Sequence, residues 1–465
     1  MNNYFRSKNE VIHSKEFKYK KNIQREHYNE RKINVLRWYP FKENSSILQI
    51  TNTNDALSRF LYDKAKTLDL YNFSNNSFFR CTKKNIFVPI DKSVRLCKYD
   101  YIVAVGFLDF FDLEKDFESK VKDFIKLCSS FVKKHGTILI ADDFSKVRSF
   151  SQNNNKKSAL KSLLNISECR IKKVYYLHLN VDNCFEIFTD VSLKRMFPSN
   201  INVFDDNEKI HEYTLDKDYY AVYKYGDPSN IFNSYLIEFN NSSKENIDYV
   251  KISSNRFDKF ALITSIDMSN GFVYKMPITN KSKDHINKLL INNKNCQNIS
   301  YTKYIPCNNR IRCDYIKGET LYQKFYAWSF NSNNKQIIKN IMMIKQYLYD
   351  CEPKLLKPSK SFKKVFGEAK FDRPLHWKKD QCIDIIASNI ILSKNKYYLI
   401  DNEWCFNFMI PMEYILWRFI HHSLCRDIFT KKEILEDILN ISKNEYDEFL
   451  KMELHFSIKY VGNYF

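Results

Sequence analysis

The segment 384–404, DIIASNIILSKNKYYLIDNEW, decides how the second half of the chain is interpreted. Two short apolar runs, at 390–392 and 397–400, flank the polar sequence 393–396. Runs of β-branched and aromatic residues on both sides of a polar turn are typical of a β-hairpin. The sequence therefore predicts a hairpin that folds back on itself at this turn.

Three oxygen-bearing side chains are predicted to meet at the open end of this hairpin. Folding about the turn places Asn389 beside Asp401, and Asp384 lies five residues before Asn389 on the loop that leads in. Hard cations such as Mg²⁺ take oxygen ligands of this kind and often keep waters and substrate phosphates. The pattern predicts a magnesium site, and the alternative is an ordinary surface hairpin with acids at its ends.

The spacing Asp-x-x-x-x-Asn, followed by an apolar hairpin and Asp, resembles the catalytic and metal-binding loops of the protein-kinase-like fold. This resemblance implies that Asp384 orients or deprotonates an acceptor hydroxyl, while Asn389 and Asp401 hold Mg²⁺ on ATP. It also implies that Lys275, which ends an earlier apolar strand, contacts the nucleotide phosphates. The chain departs from the family in three places. No Gly-rich loop precedes Lys275, Cys382 stands where His is usual, and the helix after Lys275 offers no evident Glu partner.

The segment 313–321, CDYIKGETL, is similar to the hinge of small-molecule kinases of the aminoglycoside-kinase type. The backbone of that hinge hydrogen-bonds the adenine ring, so the resemblance implies ATP contacts from Asp314, Tyr315 and Ile316. The Gly-x-Thr that follows is expected to turn the chain and to cap the next helix.

The first half of the chain alternates apolar runs with helical patterns. Strands are expected at 46–50, 101–105 and 136–141, with a helix at 117–133 between the last two. Such alternation predicts an α/β domain with a mostly parallel sheet and crossover helices.

This order of elements resembles class I S-adenosylmethionine-dependent methyltransferases, in particular the methyltransferase module of bacterial surface-polysaccharide proteins. The turn at 38–41 (WYPF), the segments 106–109 (GFLD) and 134–137 (KHGT), and late strands at 174–177 and 234–238 carry the resemblance. It implies a Rossmann-like fold and a cofactor site at the end of the first strands.

The predicted cofactor loop departs from that family. Where the family has an acid followed by Gly-x-Gly-x-Gly, this chain reads QITNTND, so that Thr51, Thr53 and Asp55 replace the glycines. Each replacement adds a side chain where the backbone would approach the cofactor. The resemblance places Asp69 at the ribose and Asp91 near the adenine of S-adenosylmethionine. A domain that has lost its cofactor is favoured over one that keeps a weakened site, and both interpretations stay open.

Composition limits the class of protein. The 465 residues suffice for two or three domains, and 44% hydrophobic with 16% aromatic residues excludes a disordered chain. The net charge of +20 comes mainly from lysines spread along the chain, so we expect no specific nucleic-acid site. The 12 cysteines form no Cys-x-x-Cys pair. With no apolar segment suited to a signal peptide or a membrane span, we predict a cytoplasmic protein without a transmembrane segment.

We therefore predict an N-terminal arm at 1–30, an α/β Rossmann-like class I methyltransferase domain at 31–242, and an α+β bilobal kinase-like domain at 243–465. The small lobe is expected at 243–313 and the helical lobe at 322–465. The two resemblances imply a protein of surface-glycan synthesis that transfers phosphate from Mg²⁺–ATP to a sugar hydroxyl. The alternatives are an active S-adenosylmethionine-dependent glycan methyltransferase and a non-catalytic scaffold that recruits glycosyltransferases.

Overall fold

The computed structural model describes most of the chain between residues 31 and 462. The described residues are 31–52, 55–81, 87–90, 98–111, 117–146, 171–196, 198, 201–204, 210–213, 226–239, 246–253, 255–291, 300–393, 396–423 and 440–462. They form a mixed α/β structure. The chain separates into two compact units, residues 1–198 with 222–252 and residues 199–221 with 253–465. The predicted boundary at 242/243 thus lies inside the first unit, and the predicted arm at 1–30 lies outside the described residues.

The strands and helices are numbered in chain order. The strands are β1 (Ser46–Thr51), β2 (Thr67–Asn72), β3 (Ser77–Cys81), β4 (Phe87–Ile90), β5 (Tyr99–Val105), β6 (Val132–Asp143), β7 (Ile171–Leu177), β8 (Glu186–Phe188), β9 (Ile201–Phe204), β10 (Ile210–Tyr213), β11 (Ser234–Phe239), β12 (Tyr249–Ile252), β13 (Leu262–Asp267), β14 (Phe272–Pro277), β15 (Ser300–Tyr301), β16 (Ile305–Cys307), β17 (Arg310–Asp314), β18 (Glu319–Thr320), β19 (Trp377–Lys378), β20 (Gln381–Cys382), β21 (Ile390–Ser393), β22 (Lys396–Leu399), β23 (Cys405–Phe406) and β24 (Ile410–Pro411). The helices are α1 (Asn34–Arg37), α2 (Ala56–Lys64), α3 (Phe117–Phe131), α4 (Asp190–Leu193), α5 (Lys283–Ile291), α6 (Leu321–Phe330), α7 (Asn334–Leu348), α8 (Lys360–Phe366), α9 (Met412–Ser423) and α10 (Lys443–Leu454).

The first unit has a parallel centre. Strands β2, β1, β5 and β6 lie side by side in that order and run parallel, with α2 and α3 in the crossover connections. The inner strand β5 is a nearly continuous apolar run in which residues 101–105 are all buried. Such runs are what a strand covered on both faces requires. The predicted alternation of strands and helices is confirmed for this centre.

The rest of the first sheet is antiparallel, which corrects the expectation of a mostly parallel sheet. On one side β11 lies antiparallel between β6 and β7, and β8 and β12 continue outward. On the other side β3 and β4 follow β2 as antiparallel strands. Only residues 73–76 join β2 to β3, and a crossover between parallel strands needs a dozen residues or more.

The second unit combines small sheets with helices. Strands β16, β17, β14 and β13 are antiparallel neighbours in that order, and α5 packs on them through Ile286 and Leu289. Strands β21 and β22 form the predicted hairpin, with Ile390 opposite Leu399. The edges of the hairpin pair with β18 and β15. The helices enclose a core rich in fully buried aromatic side chains: Phe325, Phe362, Phe366, Tyr414, Trp417, Phe419 and Phe449.

Among the described residues, no helix has both the length and the apolar character needed to cross a bilayer.

Candidate functional site

Lys275 and Asp401 meet in the second unit although 126 residues separate them in the chain. Lys275 lies on β14, opposite Thr264 and Ile311 of the flanking strands, and is almost fully buried. Its Nζ donates a hydrogen bond of 2.7 Å to Asp401 Oδ1. Burial opposes the charge of Lys275, but Asp401 and its neighbours outweigh this effect and raise the pKa of Lys275 above its usual value. The side chain of Asp401 keeps 29% of its surface exposed, so this carboxylate faces solvent as well as Lys275.

Asn389 fixes the geometry at the open end of the hairpin. It ends a short 3₁₀ turn and immediately precedes β21. The backbone oxygen of Asn389 accepts a hydrogen bond from Ile400 N at 2.9 Å. Because Asp401 follows Ile400 in the chain, this bond places Asn389 beside Asp401. Its side-chain Nδ2 donates to the backbone oxygen of Asp384 at 3.2 Å. The structure thus brings together Asp384, Asn389 and Asp401 as the hairpin interpretation predicts.

Asp384 is buried, whereas Asp401 is partly exposed. Asp384 Oδ2 accepts a hydrogen bond from Trp404 N at 2.6 Å, and Arg418 Nη1 lies 4.0 Å from Asp384 Oδ1. Burial raises the pKa of Asp384 to about 7; the Asp401 carboxylate adds to the rise and Arg418 opposes it. A carboxyl group with a pKa near neutral is suited to exchange a proton with a hydroxyl at physiological pH.

A buried ionic cluster in the helical part supports the strand that leads to Asp384. Arg418, on α9, donates to the backbone oxygen of Ile383 at 2.5 Å and to Glu453 Oε2 at 2.9 Å. Tyr414 also donates to Glu453 Oε2, at 2.7 Å. Burial opposes the charge of Glu453, but Arg418 outweighs it and holds the pKa of this carboxyl well below its usual range. The cluster therefore positions the backbone next to Asp384 from the helical side.

Glu403 is a residue of the site that the sequence interpretation missed. It is buried and forms an ion pair with Arg256, while His285 Nε2 lies 2.6 Å from its Oε1. Burial opposes the charge of Glu403, but Arg256 and His285 overcome this effect and hold its pKa well below the usual range. Because His285 lies on α5, the helix after Lys275 reaches the Asp401 segment through Glu403. The signal in the sequence was the acid two positions after Asp401, which no apolar pattern requires.

The predicted adenine-binding segment joins the small sheet to the helices. Asp314 ends β17 and is exposed, and Ile316 is half-buried. Tyr315 N donates to the backbone oxygen of Gly271 at 2.9 Å, so this amide is engaged within the protein. The side chain of Thr320 caps α6 in a reciprocal pair with Gln323, which confirms the predicted cap.

Gly318 allows this segment to approach the hairpin closely. A Cβ at Gly318 would lie 2.6 Å from Ile391 Cγ2 and 3.0 Å from Leu392 O. We expect Gly318→Ala to lower the free energy of unfolding by about 1–3 kcal/mol, because the hairpin must shift to admit the methyl group. Urea unfolding measures this, with Lys317→Ala on the exposed neighbouring residue as the control. An unchanged unfolding midpoint for Gly318→Ala would contradict the close packing.

In the first unit the structure gives Asp69 two protein partners. Asp69 lies in the middle of β2, and its carboxylate takes two hydrogen bonds from the Arg80 guanidinium, at 2.8 and 2.9 Å. Tyr99 donates a third, at 2.8 Å. The strand continues for three residues to Asn72, which is the residue opposite Thr51 at the end of β1. Asn72 therefore stands where the predicted ribose-binding residue was expected.

The loop that replaces the glycines is bound to its neighbours. Asn52 O accepts from Asn72 Nδ2 at 3.2 Å, and Asn52 Oδ1 accepts from Ser74 N at 3.0 Å. Asp55 caps α2 through two backbone amides and lies 3.5 Å from Lys32 Nζ. The structure thus assigns packing and capping contacts to this segment. Two further predicted S-adenosylmethionine contacts, Thr53 and Asp91, lie outside the described residues.

The comparisons with known proteins give no further guide to the site. No protein-family model matches the chain, and no curated protein matches it. Within the described residues, no group of three or more His, Cys, Asp or Glu side chains could hold a metal ion by itself. The predicted magnesium ligands are only two side chains, the carboxylate of Asp401 and the amide of Asn389. Two protein ligands suit a cation that is also held by substrate phosphates.

Proposed function

We propose that the second unit is a phosphotransferase that uses Mg²⁺–ATP and a sugar hydroxyl as acceptor, in the synthesis or modification of a surface glycan. The observation that carries this proposal is the convergence of Lys275, Asp384, Asn389 and Asp401, which come from three separate segments of the chain. Phosphoryl transfer depends mainly on positioning and on neutralising charge. Four polar side chains at one place meet these two requirements without a covalent step.

The order of the strands supports the same assignment. Lys275 lies on β14, which is paired on both sides with the antiparallel strands β13 and β17, and helix α5 follows it. The segment after β17 then packs on the hairpin through Gly318, so that the predicted adenine-binding residues and the predicted metal ligands belong to adjoining elements. Kinase-like proteins likewise have a phosphate-binding lysine on an inner strand and metal ligands at a hairpin that follows later in the chain.

The side chains fit the group that the proposal requires. Asn389 uses its amide nitrogen on the Asp384 backbone, which leaves the amide oxygen as the atom able to coordinate a cation. Asp401 is partly exposed and carries the charge that Mg²⁺ prefers. When bound, Mg²⁺ supplies positive charge that offsets the charge of the nucleotide phosphates.

The protein's own residues then have distinct tasks. Lys275 holds Asp401 in the structure described here, and in the proposed complex its ammonium group contacts the phosphates. Asp384 accepts the proton of the acceptor hydroxyl at its carboxylate, and Trp404 N and Arg418 fix the position of that carboxylate. Glu403, held by Arg256 and His285, positions the segment that carries Asp401.

For the first unit we propose a non-catalytic role in recruiting a partner, such as a glycosyltransferase of the same glycan. The observation that favours this is the engagement of Asp69 by Arg80 and Tyr99, together with the side chains in place of the loop glycines. An active S-adenosylmethionine-dependent glycan methyltransferase is the competing proposal. It requires Arg80 to release Asp69, or the ribose to bind at Asn72 instead.

We expect S-adenosylmethionine to bind the full chain weakly, with a dissociation constant above about 100 μM, or roughly −5.5 kcal/mol. The physical reason is that Thr51 and Asp55 add side chains where close backbone approach is needed. Calorimetric titration with S-adenosylmethionine measures this. A dissociation constant near 1 μM, about −8 kcal/mol, would show that the loop binds the cofactor in another way and would favour the methyltransferase proposal.

A further inference from the structure

Two cysteines face each other beside the candidate site. Strands β20 and β23 pair antiparallel, and Cys382 lies directly opposite Cys405. Both are free thiols. Ile383 N donates to Trp404 O at 3.0 Å, so the neighbouring pair carries the interstrand hydrogen bond and the cysteines occupy the position without one. At such positions the Cα atoms lie about 4.5 Å apart and the side chains come closest.

This position suits a disulfide bond. Disulfides join residues whose Cα atoms are about 4.4–6.8 Å apart, so the pair needs only a small adjustment. Burial and the neighbouring Cys405 thiol both raise the pKa of the Cys382 thiol. This agrees with the direct opposition of the two residues across the strand pair.

Each thiol also contacts a segment of the candidate site. Cys382 Sγ donates to Asp384 Oδ2 at 3.9 Å, and Cys405 Sγ donates to Asn402 O at 3.3 Å. Asn402 immediately follows Asp401 in the chain. Cys382 is buried whereas Cys405 is half-buried, so a small oxidant reaches Cys405 first.

We propose that Cys382 and Cys405 form a reversible redox pair that is oxidised by a small-molecule disulfide of the glutathione class. The Cys405 thiolate attacks the disulfide of the oxidant, forms a mixed disulfide and releases one thiol. The Cys382 sulfur then attacks Cys405, the bond between the cysteines forms, and the second thiol leaves. Two electrons pass from the cysteine sulfurs to the oxidant, and the two cysteine protons end on the two released thiols.

Oxidation has a consequence for the site, and this step rests on the proposed phosphotransferase function. Opposite Cβ atoms in such a pair lie about 4.5–5.5 Å apart, and a disulfide draws them to about 3.8 Å. The bond also removes both thiol hydrogen bonds, to Asp384 and to Asn402. Because a shift near 1 Å at a catalytic group can lower a rate 10²-fold, we expect the oxidised protein to turn over at least ~10-fold more slowly.

The test uses the full chain, incubated with oxidised and reduced glutathione at a series of ratios and then mapped by mass spectrometry. We expect a cross-link between the peptides that carry Cys382 and Cys405, and its loss on treatment with dithiothreitol. Cys405→Ser should abolish the cross-link. The matched control Cys351→Ser changes another half-buried cysteine and should leave it intact.

Two results would overturn the proposal. One is glutathione bound to Cys405 with no cross-link at any ratio, because the second step would then not occur. The other is a cross-link that leaves ATP turnover of the parent equal to that of Cys405→Ser under the same oxidant, because the pair would then not control the site. Failure of the proposed function itself looks different, since the reduced parent would bind no Mg²⁺–ATP whether or not the cross-link forms.

Discussion

Asp401→Asn is expected to raise the dissociation constant of Mg²⁺–ATP at least ~100-fold, or about 2.8 kcal/mol. The change removes the one carboxylate of the predicted magnesium pair, and an amide oxygen is a weaker ligand for a hard cation. The variant should still fold but with lower stability, because its amide oxygen can accept from Lys275 Nζ, which lies 2.7 Å from Asp401 Oδ1, without offsetting the buried ammonium charge. Calorimetric titration at millimolar Mg²⁺ measures the change.

The matched control for that variant is Asp372→Asn. It makes the same change of charge on an exposed carboxylate of the second unit, away from the predicted ligands. Thermal unfolding of both variants separates loss of ligand binding from loss of structure. If Asp401→Asn is folded at the titration temperature and binds Mg²⁺–ATP with the parent's affinity, the cation is not held by Asp401.

Asp384→Asn is expected to lower turnover by ~10² or more and to change the affinity for Mg²⁺–ATP less than about threefold, since a positioned base contributes roughly 10²–10⁴ to a rate. The amide keeps an oxygen for the hydrogen bond from Trp404 N, so the backbone around it should stay in place. It cannot accept the proton of an acceptor hydroxyl. Transfer of labelled phosphate from ATP to a panel of sugars measures the rate, with slow ATP hydrolysis as the readout before an acceptor is found.

Ser388→Ala is the control for this second variant, because Ser388 is exposed on the turn between Asp384 and Asn389. It should leave both binding and turnover close to those of the parent. A parent-like rate for Asp384→Asn would remove Asp384 from the reaction. A large loss of affinity together with turnover would mean that Asp384 acts by supporting the nucleotide site.

The arrangement of the predicted kinase-like residues followed from local patterns. The apolar runs around the turn at 393–396 fixed the register of the hairpin, and that register brings Asn389 next to Asp401. The prediction for Lys275 rests on its place on an apolar strand and on its resemblance to a family lysine, and in the structure its Nζ donates to Asp401. The roles of these residues remain predictions, which the variants above test.

Contacts between distant segments were not visible in the sequence. Up to 147 residues separate Arg256, His285 and Glu403, and in the structure Glu403 contacts the other two. In a chain with many charged residues, no local pattern distinguishes these three. Cys382 and Cys405 are likewise opposite each other only because β20 and β23 pair. Pairing of short strands across a loop depends on tertiary packing, which local propensity does not specify.

In the first unit, some features expected from the family resemblance differ from the observed strands and contacts. The parallel centre followed from the alternation of strands and helices, because buried parallel strands are recognisable as apolar runs. The sequence analysis does not predict the antiparallel strands β3 and β4; residues 73–76 form the short connection between β2 and β3. The resemblance predicts Asp69 at the end of a strand, but the strand continues to Asn72 and the Arg80 guanidinium donates to the Asp69 carboxylate.

Calorimetric titration of the reduced full chain with ATP, with millimolar Mg²⁺ and again with a chelator, tests the central claim most directly. We predict one nucleotide per chain, bound at least ~10-fold more tightly with Mg²⁺, because in the proposed site Asp401 and Asn389 hold the nucleotide through the cation. A rise in the thermal unfolding temperature with Mg²⁺–ATP should accompany binding. No binding heat and no thermal shift at millimolar Mg²⁺–ATP would contradict the phosphotransferase proposal.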